Sequence, residues 1–236
     1  MPSRVRVFVD FDGTISLEDT TDVVLERFAD PSWQKVEAEW LAGHIGSREC
    51  MKRQVELIRA TPEQLDALCA EIPLDPHFPE LVSMCGKNDI PVTVVSDGLD
   101  RTIVRMLSRF DLNIPVLANK LVYLGDRRWT LEFPYTNAGC QAGAGNCKCL
   151  SLTRDPNTLR ILIGDGRSDF CAAETADFVI AKAALAEHCQ TSGVPFIVFG
   201  NFAGATTLLH DWIGALERHY PETSTVGGTV DAEPHA

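Results

Sequence analysis

The sequence predicts an α/β fold: a parallel sheet with helices on both faces and an all-helical cap inserted after the first strand. Short apolar or β-branched runs recur along the chain, at residues 5–9, 92–95, 159–163, 178–180 and 196–199. Helical patterns separate these runs, and such alternation is typical of parallel sheets, whose strands are buried on both faces. Residues 17–85 break the alternation, because they hold several amphipathic helices and no convincing strand.

Local signals predict where several helices begin. The stretch TPEQ at 61–64 reads as a capping box with proline in the first turn, and Ser47 is the predicted cap of the preceding helix. Apolar residues at a spacing of three and four predict a helix over residues 101–110, and a further helix is predicted from about 203 to 219.

The chain is predicted to divide into a core, a cap and a tail. Residues 1–16 and 86–220 form the core domain, and residues 17–85 form the cap. Within the core, the stretch 120–133 predicts a β-hairpin around a Gly-Asp turn. The polar tail, 221–236, is predicted to be disordered.

Composition and charge indicate a globular protein and disfavour several classes of partner. With 45% hydrophobic and 23% charged residues, the 236-residue chain is typical of a globular protein that buries a core. A net charge of −12 repels phosphate backbones, so no nucleic-acid partner is predicted. No apolar run approaches the roughly 18–20 residues of a membrane span, and no secretory signal precedes the first strand. We therefore predict a cytoplasmic protein without a membrane partner; whether it forms a homodimer stays open.

Polar residues follow three of the apolar runs. Asp10 and Asp12 come after the first run, Ser96 after the second and Asp165 after the third. Ligands of open α/β sheets bind at the carboxyl ends of the strands, so these residues are expected to converge if the strands are neighbours. Two buried carboxylates that close repel each other unless a cation intervenes or one is protonated. Asp10 and Asp165 can therefore hold a hard divalent cation such as Mg²⁺, while Asp12 can donate and accept a proton.

Four segments, in this order, resemble the motifs of the haloacid dehalogenase (HAD) superfamily. They are DFDGT at 10–14, Ser96 after a strand, Lys148 before a helix and GDGRSD at 164–169. The helical insertion after the first motif is similar to that of the C1-cap phosphatases, the phosphoserine phosphatase-like group. The stretches VSDGLDRTI and CQAGAGNCK look most like the 2-hydroxy-3-keto-5-methylthiopentenyl-1-phosphate phosphatases and their relatives. The resemblance implies a Rossmann-like core and a Mg²⁺-dependent phosphatase that acts on a small phosphorylated metabolite.

The resemblance also implies a role for each matching residue. Asp10 attacks phosphorus and becomes an aspartyl phosphate, and Asp12 protonates the leaving alcohol and then activates water. The implied metal ligands are Asp10, Asp12 through its backbone carbonyl, and Asp165, with Asp169 as support. The implied phosphate-binding residues are Ser96, Asp97, Gly98 and Lys148.

Substrate recognition is expected in the cap and just after the first motif. Asp19, the candidate substrate residue, stands where phosphoserine phosphatases, by resemblance, carry a glutamate that binds the substrate amine. This departure weakens a phosphoserine assignment and agrees better with the methionine-salvage type. Helix capping explains Asp19 equally well. The basic cap residues Arg48, Lys52 and Arg53 could reach an anionic substrate tail, but a charged solvent face is the favoured interpretation. A surface position is also favoured for Arg167.

The eight cysteines leave several interpretations open. Five are dispersed among apolar residues, which favours small core side chains in a reducing cytosol. Cys140, Cys147 and Cys149 cluster, but their spacing is not a strong zinc pattern. Reduced thiols are therefore favoured over a metal site or a Cys140–Cys147 disulfide.

Other functions remain alternatives to a methionine-salvage ketose-phosphate phosphatase. A phosphoserine phosphatase is the close rival, and a phosphomutase would carry much the same motifs. A non-catalytic binding module is disfavoured, because such a protein is free to lose Asp10, Asp12, Lys148 or Asp165. A receiver-type phosphorylation switch suits neither the second acid at position 12 nor the large cap.

Overall fold

A computed structural model describes residues 4–140, 142–152 and 157–219, with a seven-stranded sheet at its centre. The strands are β1 (Arg4–Val9), β2 (Val92–Leu99), β3 (Val116–Gly125), β4 (Arg128–Glu132), β5 (Thr158–Gly164), β6 (Phe178–Ala181) and β7 (Phe196–Val198). Their order across the sheet is β4-β3-β2-β1-β5-β6-β7, and every neighbouring pair is parallel except β3 and β4. The predicted Rossmann-like α/β fold is confirmed.

The first strand, β1, lies in the middle of this sheet. Val9 is opposite Val94 of β2 on one side and opposite Ile163 of β5 on the other. Val7 belongs to the apolar cluster on one face of the sheet, whereas Phe8 belongs to the cluster on the other face. Both faces of β1 are therefore covered, which explains its nearly continuous apolar sequence.

Ten α-helices accompany the sheet within the described ranges. They are α1 (Thr20–Phe28), α2 (Trp33–Leu41), α3 (Ser47–Val55), α4 (Pro62–Glu71), α5 (Phe78–Lys87), α6 (Asp100–Leu107), α7 (Lys148–Ser151), α8 (Phe170–Ala173), α9 (Ala183–Ser192) and α10 (Phe202–His219). Helices α1 to α5 all lie between β1 and β2, so the inserted segment is helical as predicted. The last of them packs on α10, with the rings of Phe78 and Phe202 4.9 Å apart. The domain boundaries themselves stay a prediction.

The two predicted helix starts in the inserted segment have different outcomes. Thr61 caps α4 as predicted: its side chain accepts a hydrogen bond from Gln64 N, and the Gln64 side chain accepts one from Thr61 N. The prediction that Ser47 caps α3 is wrong, because Gly46 holds that position. The Ser47 hydroxyl donates instead to Asp97, since the start of α3 lies against the core.

The hairpin formed by β3 and β4 joins the main sheet. Lys120 lies opposite Glu132 and Tyr123 opposite Trp129 in the predicted antiparallel pairing. The strand β3 begins before the predicted hairpin and also pairs with β2, which makes the hairpin an extension of the sheet. The predicted tail, 221–236, lies outside the described residues. Over the residues that are described, no helix combines the length and the apolarity that crossing a bilayer requires.

Candidate active site

The carboxyl ends of β1, β2 and β5 meet at one cavity of about 710 Å³. Six residues predicted from three distant segments line it: Asp10, Asp12, Ser96, Asp97, Gly98 and Asp165. They converge because Val9, directly before Asp10, lies opposite both Val94 and Ile163 in the parallel register. The structure thus brings these residues together as expected for the edge of an open α/β sheet.

Lys148, the first residue of α7, reaches the same edge of the sheet. Its Nζ lies 2.7 Å from Asp10 Oδ1 and 2.7 Å from Asp169 Oδ1, and it donates to Ser168 Oγ at 2.9 Å. Burial of this side chain by itself lowers the pKa of Lys148. The two carboxylates outweigh burial and hold its pKa above the ordinary value, so the ammonium stays charged.

Asp10 is buried, with one carboxylate oxygen fully engaged. Oδ1 accepts a hydrogen bond from Phe11 N at 2.7 Å in addition to the ion pair with Lys148. Burial raises the pKa of Asp10 well above its usual range, the charge of Asp169 raises it further, and Lys148 opposes both. Within the described part of the chain, Oδ2 of Asp10 accepts no hydrogen bond. That oxygen is therefore the one able to meet a ligand.

Asp12 is held by the first turn of α1. Its Oδ1 accepts hydrogen bonds from Thr20 N at 2.8 Å and from Thr20 Oγ1 at 2.5 Å. Burial, followed by the charge of Asp19, raises the pKa of Asp12 to about 7, although the hydrogen bonds from Thr20 lower it. A carboxyl group with that pKa can both give and take a proton at neutral pH.

Ser96 and Gly98 occupy the end of β2 beside Asp12. Ser96 Oγ accepts a hydrogen bond from Gly98 N at 2.9 Å and lies 3.5 Å from Asp12 Oδ2. A Cβ atom at position 98 would lie 2.5 Å from Asp12 Oδ2, closer than real Cβ contacts allow. Glycine at this position therefore lets the Asp12 carboxyl approach the strand end.

The Asp97 carboxylate accepts hydrogen bonds from residues of three other segments. Oδ1 accepts hydrogen bonds from Asn119 Nδ2 at 2.9 Å and from Asn146 N at 2.8 Å, and Oδ2 accepts one from the Ser47 hydroxyl. An ionised carboxylate repels a phosphoryl group, so only the backbone of Asp97 could serve the phosphate-binding role predicted for it.

Three carboxylates lie close enough to hold one cation. Ligand oxygens of Asp10, Asp165 and Asp169 lie within 4.8 Å of one another. Burial raises the pKa of Asp165, while a 2.6 Å hydrogen bond from Thr14 Oγ1 lowers it. Gly13 has a φ of +69°, and a Cβ there would lie 2.4 Å from Asp165 Oδ2, so a side chain would fill this approach. The donors are all oxygen, the ligand type that Mg²⁺ prefers, and the residues present fit that ion.

The inserted helices supply the opposite wall of the cavity. Asp19 lines it and also caps α1, because Asp19 Oδ1 accepts hydrogen bonds from Thr21 N at 2.9 Å and Asp22 N at 3.0 Å. The capping explanation of Asp19 is thus confirmed, and its substrate role stays a prediction. Arg167 also lines the cavity, with its guanidinium 5.6 Å from the centre of the Trp40 ring of α2. Arg167 is exposed, as the sequence interpretation expected, and it also forms part of the cavity wall.

The cysteines depart from the prediction in one pair. Cys149 and Cys171 form a disulfide, with their Cα atoms 6.2 Å apart. The prediction of reduced thiols is wrong for these two residues, because sequence alone does not reveal which distant cysteines are neighbours. The cysteines described as free thiols are Cys50, Cys69, Cys85, Cys140, Cys147 and Cys189.

Sequence reasoning missed three polar residues that order the site. Thr20 holds Asp12, and Asn119 and Asn146 are almost completely buried beside Asp97. Asn146 Nδ2 also donates to Ser96 O at 2.8 Å, which fixes the end of β2. A signal existed for Thr20, which follows the predicted cap of α1. Isolated asparagines give no such signal, since their partners are distant in sequence.

Comparisons with known proteins agree with this geometry. A family model described as haloacid dehalogenase-like hydrolase matches residues 7–174. The 2-hydroxy-3-keto-5-methylthiopentenyl-1-phosphate phosphatase of Brevibacillus brevis is 31% identical over 215 residues, which cover 89% of this chain and 96% of that protein. The protein of the same name from Geobacillus kaustophilus is 29% identical over 223 residues, covering 92% and 98% of the two chains.

Solved structures share the fold at lower sequence identity. A probable phosphoserine phosphatase from Vibrio cholerae has a TM-score of 0.69 and 18% identity, and the match covers 92% of this chain and 67% of that one. A phosphoserine phosphatase from T. onnurineus has a TM-score of 0.64 and 16% identity, with 87% and 94% covered. At these identities the likeness concerns the fold alone.

Proposed function

Since the chain belongs to the haloacid dehalogenase-like hydrolase family and is a phosphoric monoester hydrolase, we propose that it cleaves a small phosphorylated metabolite through an aspartyl-phosphate intermediate. The observation that carries this proposal is the 2.7 Å ion pair between Lys148 and Asp10 at the carboxyl edge of the sheet. It puts the nucleophile beside a fixed positive charge, which the oxygens of a transferring phosphoryl group require.

Asp10 and Asp12 divide the chemistry into two steps. Asp10 Oδ2 attacks phosphorus while Lys148 and Phe11 N hold Oδ1, and the bond from phosphorus to the leaving oxygen breaks. Asp12 gives its proton to that oxygen. The ionised Asp12 then takes a proton from water, which attacks phosphorus and releases Asp10 and inorganic phosphate. The pKa of about 7 supports this exchange, because both forms of Asp12 are populated at neutral pH.

Most of the rate acceleration is assigned to charge and positioning. Phosphate-monoester hydrolysis calls for accelerations of up to about 10²¹, whereas general acid–base catalysis supplies about 10²–10⁴. The remainder falls to Lys148, to Ser96 and the Gly98 backbone, and to covalent capture at Asp10.

Magnesium is the proposed cofactor, and when bound it would supply charge that neutralises the phosphoryl oxygens. Asp10, Asp165 and the backbone carbonyl of Asp12 would hold it. Asp169 is assigned a supporting role, because it pairs with Lys148 and orders the backbone at Asp165. Oδ1 binds Lys148, and Oδ2 accepts hydrogen bonds from Asp165 N at 3.2 Å and Gly166 N at 3.3 Å.

The first candidate substrate is a methionine-salvage ketose phosphate, acted on in the cytoplasm. This choice is supported by relatives of 29% and 31% identity whose names carry that substrate, and by their coverage of most of both chains. Phosphoserine is the second candidate, supported by the shared fold, whereas aspartate rather than glutamate at position 19 weakens it.

The test is a panel of phosphate monoesters, assayed by phosphate release with Mg²⁺ and again with a chelator. We expect turnover that requires the metal, and Asp10→Asn should abolish it while the circular dichroism spectrum stays unchanged. Normal turnover by this variant would refute the role of Asp10. Comparing phosphoserine with acyclic ketose phosphates ranks the two candidate substrates.

A further inference from the structure

The part of the cavity lined by the start of α1 and by α2, here called the acidic end, carries several carboxylates. Asp19 and Asp22 of the α1 start and Glu37 of α2 line it together, and all three are carboxylates. Burial, followed by the charges of Asp19 and Glu37, raises the pKa of Asp22 to about 7. The three groups therefore share one electrostatic environment, in which a further negative charge is unfavourable.

The basic residues of the inserted helices do not offset this charge. Arg53 of α3 pairs with Glu39 at 2.7 Å, and Arg48 donates to Thr136 Oγ1 at 3.0 Å. Among the described residues that line the cavity, the basic ones are His44 and Arg167. The Arg167 guanidinium lies 5.6 Å from the centre of the Trp40 ring, where it makes a cation–π contact.

Two polar groups at this end, the buried Thr21 and the half-buried Glu37, have unused hydrogen-bonding capacity. Thr21 is 9% exposed and lines the cavity, and its hydroxyl has no hydrogen-bond partner among the residues that the structure describes. Glu37 Oε2 accepts a 2.8 Å hydrogen bond from the buried Gln54, whereas Oε1 accepts none among the described residues. A buried hydroxyl without a partner costs free energy, which a ligand bound here would remove.

From these contacts we infer that the acidic end, formed by Thr21, Asp22 and Glu37, is the subsite for the leaving group and selects one that carries hydroxyl or amino donors and no carboxylate. Donor groups satisfy the free oxygen of Glu37 and the hydroxyl of Thr21. A carboxylate in the same place would meet the negative charges of Asp19, Asp22 and Glu37 and would leave the free Glu37 oxygen without a donor.

This inference rests on the proposed phosphatase activity and deepens it. It excludes phosphoserine as a good substrate, because the carboxylate of phosphoserine would enter the acidic end. It admits hydroxylated sugar and ketose phosphates as well as phosphate esters of amino alcohols. The selecting residues lie outside the motifs that carry the family resemblance.

The test compares substrates that differ in one carboxylate. One pair is phosphoserine and phosphoethanolamine, and the other is 3-phosphoglycerate and glycerol 1-phosphate. With Mg²⁺ present, kcat/KM for the carboxylate-bearing member of each pair should be lower by tenfold or more, roughly what close like charges impose. Equal or higher kcat/KM for the carboxylate-bearing members, with all four hydrolysed, would overturn the inference and leave the phosphatase proposal standing. Failure to hydrolyse any phosphate monoester would overturn both.

Variants locate the selectivity within the subsite. The assay is run at pH 8, where Asp22 of the wild type is mostly ionised. In Asp22→Asn and Glu37→Gln the ratio of kcat/KM values within each pair should then move towards one, because a negative charge is removed. Each ratio compares two substrates of the same variant. A loss of activity that affects both substrates equally therefore leaves the ratio unchanged. Glu39→Gln is the matched control: it lies on the same helix as Glu37 but pairs with Arg53, and its ratio should equal that of the wild type. A shift as large in Glu39→Gln as in Glu37→Gln would assign the effect to overall charge and refute the subsite.

Discussion

Replacing Lys148 with methionine should unfold the protein at a much lower temperature, because Lys148 is the charge that offsets two buried carboxylates. Its Nζ lies 2.7 Å from both Asp10 and Asp169, and the three side chains are 5% exposed or less. Removing one partner of a buried ion pair costs about 3–5 kcal/mol, since the remaining charge has lost its compensation. For a chain of this size that corresponds to a decrease in Tm of roughly 6–20 °C.

The assay is thermal unfolding followed by circular dichroism in the presence of a chelator, so that no divalent cation replaces the lost charge. Lys120→Met is the matched control: Lys120 makes a 2.8 Å ion pair with Glu132, but both side chains are more than half exposed. Solvent screens that pair, so its loss should change Tm very little. Equal decreases in the two variants would refute the reasoning, because burial is the difference between the two sites.

Further substitutions test residues that contact the catalytic Asp12 and the proposed metal ligand Asp165. Gly98→Ala places a Cβ 2.5 Å from Asp12 Oδ2 and should lower kcat/KM on the order of 100-fold, the effect of displacing a reacting group by about 1 Å. Gly86→Ala, whose Cβ meets nothing within 4 Å, is the control, and a similar loss in both variants would contradict this account. Thr14→Val removes the 2.6 Å hydrogen bond to Asp165 and should weaken Mg²⁺ activation about 10–100-fold in a titration of activity against metal. An unchanged titration curve would show that Thr14 does not support the metal site.

The parts of the site that lie at strand ends were predictable from sequence. Short apolar runs followed by Asp10, Ser96 and Asp165 predict parallel strands whose ends converge, because each run is too short for a helix and is bounded by polar residues. The register of β1 between β2 and β5 then brings the side chains together.

Contacts between distant side chains were not predictable in the same way. The Arg167–Trp40 contact depends on how α2 lies over the sheet, and the Cys149–Cys171 disulfide depends on α7 and α8 being neighbours. Ser47 illustrates the same limit, because its local sequence resembles a cap. Its hydroxyl nevertheless donates to Asp97, which is 50 residues away in the chain.

The leaving-group end of the cavity also lay beyond sequence reasoning. Asp22 and Glu37 are ordinary helix surface acids by sequence, and Thr21 follows a helix cap. The packing of α1 and α2 brings these residues, which are separate in sequence, into the wall of the same cavity.

Trapping the phosphorylated enzyme tests the role of Asp10 most directly. Turnover of a phosphate monoester with Mg²⁺ would be quenched with borohydride, which reduces an acyl phosphate to an alcohol, and the peptides would be sequenced by mass spectrometry. We predict reduction of Asp10 to homoserine in the wild-type protein and none in Asp10→Asn. Turnover with no reduced aspartate, or with the modification on another carboxylate, would contradict the assignment of Asp10 as the nucleophile.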